Sequence, residues 1–130
     1  MSPVRIAAVA TVTAALVLYG IGTWRERRAG RATAGVRGFL SAGLACDVLA
    51  TLFMIVATGG LSLTLHGVLG YSALALMTVD VVLLWRHARA HGDAPLPQGK
   101  RRYATLAYAY WVFAYVAGAA LVASRHAATR

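Results

Sequence analysis

Apolar positions fall in four long runs along this chain, and polar positions gather between them. Ile6 to Trp24 carries no charge, and Phe39 to Thr58 carries one, Asp47. Gly67 to Trp85 carries one, Asp80, and Tyr103 to Ser124 carries none. Each run is close to the ~20 residues a helix needs to cross a hydrocarbon core about 30 Å thick. A soluble helix of that length shows a charged face, and these runs show none. Inside a bilayer a segment must satisfy its own backbone groups, which predicts helices. The pattern predicts an all-α, integral membrane four-helix bundle: one transmembrane domain over residues 1–130, with spans at about 6–24, 39–58, 67–85 and 103–124.

Composition agrees with that pattern. Of 130 residues, 59% are hydrophobic and 13% charged, against about 45–50% and 25% in an average soluble domain. A single cysteine, Cys46, excludes an internal disulfide and a CxxC redox pair. The net charge of +9 suggests nucleic acid until the charges are placed. Ten of the thirteen basic residues lie in two segments. Arg25, Arg27, Arg28, Arg31 and Arg37 follow the first span, and Arg86, Arg89, Lys100, Arg101 and Arg102 follow the third. The turn from Gly59 to His66 has none. The positive-inside rule puts both basic loops in the cytoplasm and both termini outside. These cations read as topology determinants that also meet anionic lipid. They do not read as a nucleic-acid surface, since no aromatics interleave with them. Trp24, Trp85 and Tyr103 mark the cytoplasmic interface, and Trp24-Arg25-Glu26-Arg27-Arg28 reads as a positive stop rather than a signal-peptide cleavage region. Asp93 to Gly99 reads as a solvated turn segment.

Membrane helices pack through small residues and hide polar ones. Helical spacing places Gly43, Asp47, Thr51, Met54 and Thr58 on one stripe of the second span, and His66, Gly70, Ala73, Met77 and Asp80 on one stripe of the third. Thr11, Ala15 and Tyr19 share a face of the first, and Tyr108, Trp111 and Tyr115 a face of the fourth. Gly43, Gly70 and Ala73 read as packing positions. Tyr19, Asp80 and Tyr108 each lie five residues from an interfacial aromatic, roughly 8 Å deep at 1.5 Å per residue. With Asp47 they are expected to form a polar intramembrane cluster that only fixes packing, binds a proton, or walls a ligand site. His66 and His126 lie near the outer interface, where an imidazole ligates heme iron or another metal, titrates, or simply forms a hydrogen bond. Met54 and Met77 read as core filling with a soft sulfur ligand as the alternative. His87 and His91 read as part of a solvated cytoplasmic face. No Ser–His–Asp set shares a depth, and no enzyme is expected.

Several segments together resemble a family of small bacterial four-helix proteins, the heme-sensing membrane protein (HsmA-like) family. They are Tyr19-Gly20-Ile21-Gly22-Thr23-Trp24-Arg25-Glu26-Arg27; then Gly43-Leu44, Asp47, Thr51 and Met54; then Leu65-His66-Gly67, Gly70, Ala73 and Leu76-Met77; then Trp111, Tyr115 and Gly118. The resemblance touches all four spans in order. It implies a bacterial inner-membrane protein that binds heme, with His66 as metal ligand and Met54 and Tyr115 as neighbours. Family histidines at the positions of Asp80, and near Val36 and Arg101, have no counterpart here. His66 and Asp80 share a face but stand roughly 21 Å apart along it, too far to hold one iron. Two alternatives stand beside heme binding. One is a small oligomeric proton-coupled transporter using Asp47 and Asp80. The other is an accessory subunit of a larger membrane complex. The expected partners are the lipid bilayer and a second copy or another membrane protein.

Overall fold

The computed structural model describes residues 3–60, 65–92 and 94–128, with the side chains of 122, 123 and 125–128 left out of account. The described residues form four helices: α1 (Pro3–Ala29), α2 (Ala34–Thr58), α3 (Leu65–His91) and α4 (Gln98–Ala128). Each is long and apolar enough to cross a membrane, by length and composition. α1 packs on α2, α2 on α3, α3 on α4 and α4 back on α1, with the broadest contacts in the α1–α2 and α3–α4 pairs. Consecutive helices are therefore neighbours in a closed ring.

The helices outrun the predicted spans at the basic end. α1 ends five residues beyond Trp24, at Ala29, and α3 six beyond Trp85, at His91. Arginine is a good helix former, so nothing breaks these helices before a glycine does. Gly30 at φ +65° and Gly92 at φ +58° adopt the left-handed conformation that closes a helix. Their N–H groups donate to Glu26 O and Ala88 O. α2 starts at Ala34, capped by Thr33, whose hydroxyl accepts from Val36 N at 3.2 Å.

The segment expected to be a solvated turn is otherwise. Asp93 lies outside the described residues, and Gln98 and Gly99 already belong to α4. Leu96 is buried, and its N–H donates to Gly30 O at 2.8 Å. Arg31 and Pro95 form an isolated antiparallel bridge. The two basic segments are thus docked on one another at one end of the bundle. Leucine between two prolines supplies an apolar anchor and a backbone held in the extended form that such a bridge needs.

Buried positions trace one seam per helix. They are Ala8, Ala15, Tyr19, Gly22 and Glu26 on α1, and Val36, Leu40, Gly43, Asp47 and Ala50 on α2. α3 contributes Ala73, Met77, Asp80 and Leu84; α4 contributes Ala104, Ala107, Trp111 and Ala114. Within each seam most steps are three or four residues, the spacing of a helix-bundle interface. The small residues let helices approach closely. A Cβ on Gly43 would stand 2.6 Å from the Tyr19 ring, and one on Gly22 2.8 Å from the Leu40 side chain. Gly70, expected to pack, instead has open space around it. Burial on α3 begins only at Ala73. Ile6, Val17, Leu52, Val56, Leu106, Phe113 and Val116 are among the large apolar side chains left on the outside.

Candidate functional site

Two acidic centres occupy the seam. In the first, α4 carries Lys100 into the bundle within its first turn. Its Nζ donates to Glu26 Oε1 at 2.7 Å and to Asp80 Oδ1 at 2.8 Å. Both carboxylate side chains are fully buried, and that of Lys100 is 7% exposed. The chain's only lysine thus joins its only glutamate and one of its three aspartates. Desolvating such ions costs several kcal/mol each, so one ammonium between two carboxylates survives only with close geometry. Two oxygens of this centre, Glu26 Oε2 and Asp80 Oδ2, are buried without a hydrogen-bond partner, and so is nearby Thr23 Oγ1, one turn before Glu26 on α1. Buried oxygens of this kind are where a proton or a water would be held. Arg101, next along α4, donates from Nη2 to Arg27 O at 3.0 Å and places a cation at the carboxyl end of α1.

A shallow depression lined by Leu83, His87, Pro97, Gly99, Lys100 and Tyr103 opens beside this lysine. His87 is held there by a hydrogen bond between Nε2 and Ala94 O at 2.9 Å. Tyr103 donates from its hydroxyl to Leu76 O at 2.8 Å. Of the triad only Lys100 lines this depression, with the His87 imidazole on its rim.

In the second centre Asp47 Oδ2 accepts from Tyr19 OH at 3.0 Å and from Trp111 Nε1 at 2.9 Å. The Tyr19 and Trp111 rings meet edge to face, with centroids 5.2 Å apart, a favoured aromatic geometry. Gly43 makes room for the Tyr19 ring. Three helices thus converge on one carboxylate.

The expected cluster of Tyr19, Asp47, Asp80 and Tyr108 divides between these environments. Tyr19 and Asp47 are joined, and Asp80 belongs to the lysine. Tyr108 donates to the backbone, to Leu16 O at 3.1 Å, and stacks on Trp111. Tyr115 also stacks on Trp111, and its hydroxyl pairs with Thr13 Oγ1 at 3.2 Å. Met54 is 39% exposed. His66 is half-buried, its ring set against Gly118, and its Nδ1 is buried without a partner. The side chain of His126 lies outside the described residues. Among the described residues no three His, Cys, Asp or Glu side chains gather as a metal site would require.

Glu26 and Lys100 were legible only as part of the basic segments. The signal was their rarity: one glutamate among four arginines of the first segment's start, and one lysine in a chain of twelve arginines. Comparison with family models, with curated proteins and with solved structures gives no match. The likeness to the heme-sensing family rests on the quoted residues alone.

Proposed function

We propose that this chain is a small multi-pass protein of a bacterial inner membrane, its basic loops cytoplasmic and its termini outside, whose buried carboxylates exchange protons with the cytoplasmic side as part of proton-coupled transport. The observation that carries this is the Glu26–Lys100–Asp80 triad: two fully buried carboxylates share one ammonium, and each keeps an unpartnered oxygen. One ammonium neutralises one carboxylate, so the centre has a place for one further proton. In this reading the proton enters from the depression that His87 and Lys100 line. Asp47, deeper in the seam, is the next acceptor. Ionisable residues inside a membrane bundle are expensive and mark such pathways by default. The membrane placement is supported by the four long apolar helices and by the basic segments meeting at one end. In proteoliposomes loaded with a pH-sensitive dye, an imposed gradient should collapse faster with the wild-type chain than with Asp80→Asn. Equal rates in wild type, Asp80→Asn and empty vesicles overturn the reading.

A second reading, heme binding, is favoured by the unpartnered Nδ1 of His66. The residues present fit ligation by that histidine alone. Met54 points outward, and Tyr115 is engaged with Thr13. Iron held there would supply one-electron redox chemistry. Hemin added to the purified protein should give an absorption band that His66→Ala shifts or abolishes. A protein that stays colourless ends this reading.

A further inference from the structure

At the basic end, on the opposite flank from Lys100, a second cavity lies between the first basic segment and the end of α3. Ala32, Arg37, Trp85, Ala88, Arg89 and Gly92 line it, and it measures about 110 Å³. A water occupies about 30 Å³ of the liquid, so a small oxyanion fits in place of a few waters. Arg37 forms a fixed wall. Its Nε donates to Ala32 O at 3.2 Å, and its guanidinium lies 5.0 Å from the centre of the Trp85 ring. Trp85 is held in turn by its Nε1, which donates to Ser41 Oγ at 2.9 Å. Arg37 thus keeps its two terminal nitrogens clear of hydrogen bonds to the described residues. Arg89 is exposed on the opposite wall. Glu26, Asp47 and Asp80 are all engaged in the seam, so none of them neutralises this pair.

We propose that this cavity binds a phosphate group, presented by an anionic phospholipid of the surrounding leaflet. Guanidinium forks match phosphate oxygens, and a pre-set arginine loses little freedom on binding. Trp85 sits at the level where indoles meet lipid headgroups. Below the cavity, helical spacing puts Val48 on the face of Arg37 and Ser41, and Val82 on the face of Trp85 and Arg89. Both valines are exposed. The α2–α3 groove beneath the cavity is therefore apolar and open, as an acyl chain would need. Basic recesses between membrane helices on the cytoplasmic side are a known form of headgroup recognition.

Native mass spectrometry tests this on the full chain, released from micelles that hold equal phosphatidylcholine and phosphatidylglycerol. The wild type should retain one phosphatidylglycerol. Arg37→Gln/Arg89→Gln should lose it about tenfold or more, one charged hydrogen bond being worth at least that. Arg89→Gln alone, on an exposed side chain, separates a lost contact from a lost fold and should lose part of the adduct. Arg27→Gln/Arg102→Gln, which removes two exposed arginines elsewhere on this end, should stay within about twofold. Inorganic phosphate that strips the lipid from the wild type alone, and is itself retained, supports the same site with free phosphate as its source. Equal retention of both lipids, or equal loss in the two double variants, overturns the proposal.

Discussion

Lys100 holds two fully buried carboxylates, and its removal has an asymmetric cost. Lys100→Met leaves two buried anions facing one another without a cation. That change should destabilise the detergent-solubilised protein by about 3–5 kcal/mol, the usual cost of breaking a buried ion pair from one side. The triple variant Glu26→Gln/Asp80→Asn/Lys100→Met should recover most of the loss, because a neutral set needs no compensation. Thermal unfolding of the three proteins decides it, and a harmless Lys100→Met would mean that the triad is not closed. At Asp47 the weight is smaller. Trp111→Phe takes away one of two donors and should cost about 1.5–3 kcal/mol, as for a hydrogen bond to a charged group. Asp47 and Tyr19 could be read from the sequence, because helical spacing places each on an inward stripe of an apolar run. Glu26 and Lys100 could not. They stand 74 residues apart in segments whose cations read as topology determinants, and only the docking of those segments makes them meet.

Between helices, small residues decide how closely the seams approach. Gly43 faces the Tyr19 ring, whereas Gly70 faces open space. Gly43→Ala should therefore push the ring, weaken its bond to Asp47 and destabilise by about 1–3 kcal/mol, the range for overpacking. Gly70→Ala should be neutral or stabilising by about 0.5–1 kcal/mol, since alanine is the better helix former. Parallel unfolding curves of the two variants test this, and equal losses would contradict the packing described. All four helices and their order were legible in the runs of apolar residues. Their ends were not, because a hydropathy run stops at the membrane surface while the hydrogen-bonded helix continues to the next glycine. The anchor at Leu96 was hidden by flanking prolines and polar residues that read as a turn.

Across the whole molecule the two basic segments meet at one end, and the turn after α2 lies at the other. In a Cys46→Ala background, cysteines at Arg28 and Arg89 should be labelled by an impermeant thiol reagent only from the cytoplasmic side. A cysteine at Gly60 should be labelled only from outside. The reverse pattern would put the triad at the outer mouth. That the basic residues gather in two segments was legible from their distribution, but that those segments dock at one end and enclose a buried centre was not. The proposed function rests on that centre, two buried carboxylates joined by one lysine, and requires that they exchange a proton with the cytoplasmic side. Infrared difference spectra of the reconstituted protein across a pH step measure this most directly. The account predicts a carboxylic-acid carbonyl band that appears and disappears with pH, that Asp80→Asn or Glu26→Gln diminishes, and that Asp47→Asn leaves largely in place. A spectrum without any such band between mildly acidic and mildly alkaline pH would show that the triad is a fixed ion pair, and would contradict the proton-handling reading.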